Sequence, residues 1–190
     1  FGFNKQFTKN TLQLNNGNNS FSEISQLLNI HATDWSWTTL IEDFNLDGNN
    51  DVFITNGIVK RPNDMDYISF LSNEEISGGL IQNPSLSDND LIEMMPDGKA
   101  SNYAFKNQSN FEFLDVSEEW GLDYLGYSNG ATYDDFDNDG DLDLIINNIN
   151  DVAILYQNNS NNIDDINHLK INFEGNSHNI YGIGAKVTVW

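Results

Sequence analysis

Asp135-Phe136-Asp137-Asn138-Asp139-Gly140-Asp141-Leu142-Asp143 restates Asp43-Phe44-Asn45-Leu46-Asp47-Gly48-Asn49-Asn50-Asp51 ninety-two residues later, without a gap. Both runs carry oxygen-bearing side chains at positions 1, 3, 5 and 9, with glycine at position 6, where a sharp turn needs a residue free to adopt positive φ. The likeness spreads outwards at the same offset. Asn10 meets Asn102, Asn15 meets Asn107, Phe21 meets Phe113, Ile24-Ser25 meets Val116-Ser117 and Trp35-Ser36 meets Tyr127-Ser128. A third copy opens at Ile154-Leu155-Tyr156-Gln157-Asn158, which parallels Tyr103-Ala104-Phe105-Lys106-Asn107 at an offset of 51 residues. The shortfall of 41 places an insertion at about Ile58 to Ala100. The basic unit is then about 50 residues, close to one β-propeller blade.

Short runs rich in aromatic and β-branched residues predict strands at Thr11–Leu14, Trp35–Ile41, Asp51–Thr55, Tyr103–Lys106, Ala131–Tyr133, Leu142–Asn147 and Ala153–Tyr156. Clusters of Asn, Gly and Asp separate them. Ser25–Ile30 and Ser117–Leu122 read as single helical turns. Inside the insertion, Asp66–Ile76 and Asp88–Met95 space their apolar residues as short amphipathic helices do. The expected architecture is all-β: a partial β-propeller with a small helical insertion. Its parts are a first unit at 1–57, the insertion at 58–100, a second unit at 101–150 and the start of a third at 151–166.

Composition narrows the function. Acidic residues outnumber basic ones 29 to 8, a formal net charge of −21 over 190 residues. Such a chain has no basic face to neutralise phosphates, which excludes nucleic acid as a partner and argues against docking on anionic lipid by charge. Hydrophobic residues at 38% suffice for a core. The 31 Asn favour turns over helix interiors. Without cysteine there are no disulfides, thiolate metal sites or thiol nucleophiles. No apolar run approaches the roughly 20 residues of a membrane-spanning helix. The chain opens at Phe1 and closes on the alternation Ala185-Lys186-Val187-Thr188-Val189-Trp190, so it reads as an interior piece of something longer.

The two acidic loops carry the clearest chemistry. Oxygens at positions 1, 3 and 5 can converge on one ion, position 7 can add its carbonyl, and Ca²⁺ accepts six to eight oxygens in flexible geometry. An EF-hand would need Glu at position 12, where these loops have Ile54 and Ile146. Both loops also run into strands, so Asp51 and Asp143 at position 9 become the expected closing ligands. The candidate ligands are Asp43, Asn45, Asp47, Asn49 and Asp51 in one site, and Asp135, Asp137, Asp139, Asp141 and Asp143 in the other. The alternative is a pair of solvated acidic turns. Six carboxylates from Asp134 to Asp143 repel one another, each close pair by about 1 kcal/mol even in water, and a bound dication reverses that penalty. Mg²⁺ suits these loops less, since it demands a strict octahedron and keeps its waters.

The units resemble the FG-GAP/VCBS repeats of integrin α-chain propellers and many bacterial surface proteins. The shared pattern is Asn102…Asn107…Phe113-Leu114-Asp115-Val116-Ser117…Gly121-Leu122…Tyr127-Ser128-Asn129-Gly130-Ala131…Asp135-Phe136-Asp137-Asn138-Asp139-Gly140…Asp143-Leu144. The segment from His168-Leu169-Lys170-Ile171 to Tyr181-Gly182-Ile183-Gly184-Ala185-Lys186-Val187 is similar to the opening of the ASPIC/UnbV domain, which suggests that 167–190 holds its first strands. The first unit departs from the pattern with Thr38-Thr39 where the second has Gly130-Ala131. The Asn-rich, cysteine-free texture resembles surface proteins of the Bacteroidetes group. The resemblance implies a non-enzymatic, calcium-stabilised propeller that binds or scaffolds a protein or glycan partner outside the cytoplasm, at the cell surface or secreted. Two other readings are the propeller of a secreted polysaccharide-acting enzyme and a structural subunit of an outer-membrane assembly.

The remaining features read as structural. His31, His168 and His178 have no partner at metal or triad spacing, and Gly182-Ile183-Gly184-Ala185-Lys186 is expected to be a turn entering a strand rather than a phosphate loop. Trp35 and Trp37 share a strand face and are expected in the core, with sugar stacking as the alternative. Asn18-Asn19-Ser20, Asn107-Gln108-Ser109 and Asn158-Asn159-Ser160 match the glycosylation sequon by chance in so Asn-rich a chain.

Overall fold

A computed structural model describes residues 8–73, 88–162 and 169–189. In chain order the strands are β1 (Gln13–Asn15), β2 (Phe21–Glu23), β3 (Ser36–Glu42), β4 (Asp51–Asn56) and β5 (Ile58–Lys60). Helices α1 (Met65–Ser72) and α2 (Asp88–Glu93) follow, then β6 (Asp97–Gly98), β7 (Ala100–Ser101), β8 (Tyr103–Asn107) and β9 (Phe113–Asp115). The last strands are β10 (Leu125–Gly126), β11 (Ser128–Asp134), β12 (Asp143–Asn148) and β13 (Ile154–Tyr156). Sheet dominates and helices are few, so the chain is all-β in character.

The repeat is visible in the strand registers. In the four-stranded sheet β3-β4-β8-β9, Ser36 pairs with Asn56 and Glu42 with Asp51. Ninety-two residues on, in the sheet β11-β12-β13, Ser128 pairs with Asn148 and Asp134 with Asp143. Both ladders slip near their start. Val52, Phe53 and Ile54 face Phe105, Ala104 and Tyr103, just as Leu144, Ile145 and Ile146 face Tyr156, Leu155 and Ile154. The β1-β2 hairpin pairs Asn15 with Phe21, as β8-β9 pairs Asn107 with Phe113.

The sheets β3-β4-β8-β9 and β11-β12-β13 share a core, and the segments flanking the β1-β2 hairpin cover the other face of β4. Strand β4 is buried at every position, and both faces of its apolar centre Val52-Phe53-Ile54 are covered. Val52, Ile54 and Phe105 pack on Leu12, Ile24, Leu28 and Ile30 of the first hairpin and its turn. Phe53 and Ala104 point the other way, with Phe44 and Val116, onto Leu144 and Ile146 of β12. The expected helical turns supply part of this packing. Leu28 N–H donates to Ile24 O and Trp120 N–H to Val116 O, at 3.0 and 2.9 Å.

Neighbouring sheets are also joined by a buried polar chain. Asn56 N–H donates to Asn102 Oδ1 at 2.9 Å, Asn102 Nδ2 to Ser128 Oγ at 3.0 Å, and Ser128 Oγ to Asn148 Oδ1 at 2.7 Å. Asn56, Asn102 and Ser128 have no solvent exposure. The insertion is pinned where it leaves and rejoins the sheet, by β5 on β6 and β7 on β10. Gly57 has φ +113°, and a Cβ there would sit 2.2 Å from Gly126 O, so no other residue fits that crossing.

Several expectations are corrected. Strand β11 begins at Ser128 rather than Ala131, since Gly130 pairs with Asn147 and Asn129 O accepts from Thr38 Oγ1. Trp37 is 51% exposed because it lies with Thr39 and Ile41 on the uncovered face of β3, while its indole N–H donates to Gly57 O at 2.7 Å. Residues 169–189 form no strand and are almost entirely exposed, so the expected first strands of an ASPIC/UnbV-like domain and the strand after Gly184 are absent there. An alternating run becomes a strand only when a neighbour pairs its backbone groups, and among the described residues no strand pairs with this one. Helix α1 begins one residue before the expected Asp66, and the last part of that expected helix, 74–76, lies outside the described residues.

Asn102→Ala would strip the partner from Asn56 N–H and from Ser128 in a dry setting. The expected cost is about 2–4 kcal/mol of unfolding free energy, measured by denaturant titration, whereas a cost below about 0.5 kcal/mol would show that the polar chain does not join the sheets.

Candidate metal centres

Each acidic loop links the first two strands of its sheet, β3 to β4 and β11 to β12. Their backbones match: Leu46 and Asn138 at position 4 have φ 58° and 62°, and Gly48 and Gly140 at position 6 have φ 85° and 99°. Asp47 N–H donates to Asp43 Oδ1 at 3.0 Å, and Asp139 N–H to Asp135 Oδ1 at 3.0 Å. Position 9 also repeats. Asp51, fully buried, accepts from Phe44 N–H at 3.2 Å and from Asn107 N–H at 2.9 Å; Asp143 accepts from Phe136 N–H at 3.1 Å and Asn158 N–H at 2.8 Å. Each oxygen of these carboxylates accepts one backbone amide, which latches the loop to the end of the third strand and leaves a lone pair on each oxygen.

Asn107 and Asn158 complete the latch. Asn107 Nδ2 donates to Asn50 O and Asn158 Nδ2 to Leu142 O, each at 3.1 Å, while their Oδ1 atoms accept from the N–H of Ser109 and Ser160. Two of the three sequon asparagines are therefore working parts of the loops. Sequence reading passed them over, although their recurrence at the 51-residue offset pointed to them.

The side chains at positions 3, 5 and 7 separate the loops. In the second, one carboxylate oxygen from each of Asp135, Asp137 and Asp139 lies within 4.8 Å of the other two. Among the described residues this is the single cluster of three such acidic or histidine ligands. Asp141 is fully buried, its carboxylate lies within hydrogen-bonding reach of Asp139, and its Oδ1 has no partner among the described residues. The side-chain oxygen of Asn161, whose N–H donates to Asp141 Oδ2 at 3.2 Å, is likewise without a partner among them. Burial pushes the Asp141 carboxyl up, and the charges of Asp139 and Asp143 add to this. The Asp141 N–H holds the Asp139 carboxyl below its usual range. Gln157 Nε2 donates to Asp137 Oδ2 at 2.7 Å, and Lys170 reaches the amide oxygen of Asn138 rather than a carboxylate. Crowded carboxylates with orphaned buried oxygens, and no ammonium of the described residues on them, fit a hard dication.

The first loop is arranged otherwise. Asn45 Nδ2 and Asn49 Nδ2 both donate to Asp47, at 2.8 and 2.9 Å, and Lys106 Nζ lies 3.4 Å from Asp47 Oδ2. Burial pushes the Asp47 carboxyl up, but these amides and the Lys106 ammonium outweigh it and hold it below the usual range. The positions matching Asp135, Asp137 and Asp139 are Asp43, Asn45 and Asp47, and Asp47 N–H donates to Asn45 Oδ1 at 3.3 Å just as Asp139 N–H does to Asp137 Oδ1.

Among the histidines, His31 is half-buried and its carbonyl accepts from Asn10 N–H; His178 is exposed, and His168 lies outside the described residues. No family model matches the chain, and no curated protein or solved structure matches it either.

Asp51 offers a pH test. Burial pushes its carboxyl from the usual 3.8 to about 6. The folded state therefore holds this proton more tightly than the unfolded chain, so the group's contribution is fully present below pH 3.8 and is lost as pH rises through about 6. In chelator, the wild type should lose stability relative to Asp51→Asn across that window. A stability difference that stays constant with pH would contradict the shift.

Proposed function

We propose that the chain is part of a calcium-stabilised β-propeller, a module for protein or glycan binding or scaffolding in a larger extracytoplasmic or cell-surface protein. The observation that carries this reading is the Asp135, Asp137 and Asp139 cluster, set in a loop whose backbone and latch recur in the preceding sheet. Antiparallel sheets stacked face to face with a shared register support the propeller, since blades bury their faces on one another in this way. The FG-GAP/VCBS pattern supports it as a resemblance. An extracytoplasmic setting suits such an ion, since the calcium loops of extracellular modules bind at about 10⁻⁴–10⁻³ M and fill where calcium is millimolar.

In this reading the protein's own residues do most of the work. Asp135, Asp137 and Asp139 would hold the ion, while Asp143 and Asn158 keep the loop on β13. The ion itself would supply positive charge among carboxylates that otherwise repel. Partner recognition falls to the insertion end of the sheets, where Trp37 is exposed and its indole is fixed by Gly57, a stacking surface of the kind that sugars use.

Thermal unfolding with millimolar calcium, magnesium or excess chelator tests the proposal. Calcium at one hundred times its dissociation constant adds about 2.7 kcal/mol, which for a chain of this size raises the Tm by about 5–10 °C. Asp139→Ala should abolish that gain and change little in chelator. An equal Tm in all three media, or equal destabilisation by Asp139→Ala with and without calcium, would defeat the ion reading.

A further inference from the structure

The two loops share a backbone and a latch, yet the residue that approaches position 5 or position 3 from the neighbouring strand differs. From the end of β8, Lys106 approaches Asp47 in the first loop. At the equivalent place after β13 stands Gln157, a neutral amide donor to Asp137. Both Lys106 and Asp47 are about two-thirds shielded, with side chains 32% and 30% exposed. Asn45 and Asn49 add two amide donors to the same carboxylate. Asn49 Oδ1 in turn accepts from Ser109 Oγ at 3.0 Å, whereas Asp141 at the matching position keeps an orphaned oxygen.

Resting on the calcium reading above, we infer that the first loop is a metal-independent copy in which the Lys106 ammonium takes the place of the ion, so that calcium binds in the second loop alone. Charge favours this assignment. The first loop sets three carboxylates (Asp43, Asp47, Asp51) against an ammonium on Asp47 itself, and the second gathers five, with the Lys170 ammonium held on the Asn138 amide rather than on a carboxylate. Ligand charge sets calcium affinity. An ammonium touching the central carboxylate both consumes a ligand oxygen and repels a dication. The first loop keeps the calcium pattern and its backbone, and what sets it apart is the ammonium that another strand brings to Asp47.

Equilibrium dialysis of the purified protein against calcium, with bound ion counted per chain, tests the inference. Asp139→Ala should lose one ion, Asp47→Ala none, and Lys106→Gln should gain one by raising the affinity of the first loop roughly tenfold or more. Gln is the residue nature places at the equivalent position, and Lys106→Arg, which keeps the charge, should bind as the wild type does. Loss of an ion in Asp47→Ala would overturn the inference, as would no gain in a folded Lys106→Gln protein. If Asp139→Ala loses no ion, the calcium reading itself fails, a result separable from the other two.

Discussion

Two carboxylates hidden from water hold the sheets in register. Asp51 and Asp143 each accept backbone N–H groups from two separate places, the second residue of their own loop and the end of the third strand. A buried charge is tolerated only when hydrogen-bonded, so these aspartates fix the loop, the hairpin and the third strand in one arrangement. The ladders then repeat residue for residue at the offset of the repeat. Moving β8 one residue along β4 would strand Asp51 and turn Phe105 from one layer of the core to the other.

Stacking follows from that register. Alternate side chains of β4 serve two interfaces, Val52 and Ile54 on one face and Phe53 on the other. With no face left for solvent, β4 lies in a middle layer. The Asn56, Asn102, Ser128 and Asn148 chain sets the next sheet against it by hydrogen bonds, which are directional where apolar packing is not.

Much of this is legible in sequence. The offset, the acidic loops, β4 and β12 can be read because the repeat places the same residue types at the same positions, and the apolar run of β4 announces burial on both sides. What escapes is what depends on the neighbouring strand. Nothing local to Asp43–Asp51 reveals that Lys106, more than fifty residues on, reaches Asp47, or that position 9 accepts a backbone amide from the third strand. Trp37 reads as core from its strand, and only the packing shows that its face of β3 is left uncovered. The short pairs β5-β6 and β7-β10 lack enough residues to carry a periodic signal, and the alternation at Ala185–Val189 is a strand pattern without a pairing partner among the described residues.

The way the insertion is attached bears on how such a chain diversifies. Between β12 and β13 the connection runs from 149 to 153, whereas between β4 and β8 it runs from 57 to 102, yet both pairs of strands keep the same register. Loop-closure entropy rises only by about 0.6 kcal/mol per doubling of length, so the roughly ninefold longer connection costs about 2 kcal/mol. Its ends are clamped by β5-β6 and β7-β10, which shields the sheet from whatever lies beyond. This corner of the fold is thus a natural grafting point. Lineages could exchange the appended element freely there, and an engineer could do the same, without rewriting the sheets that carry it.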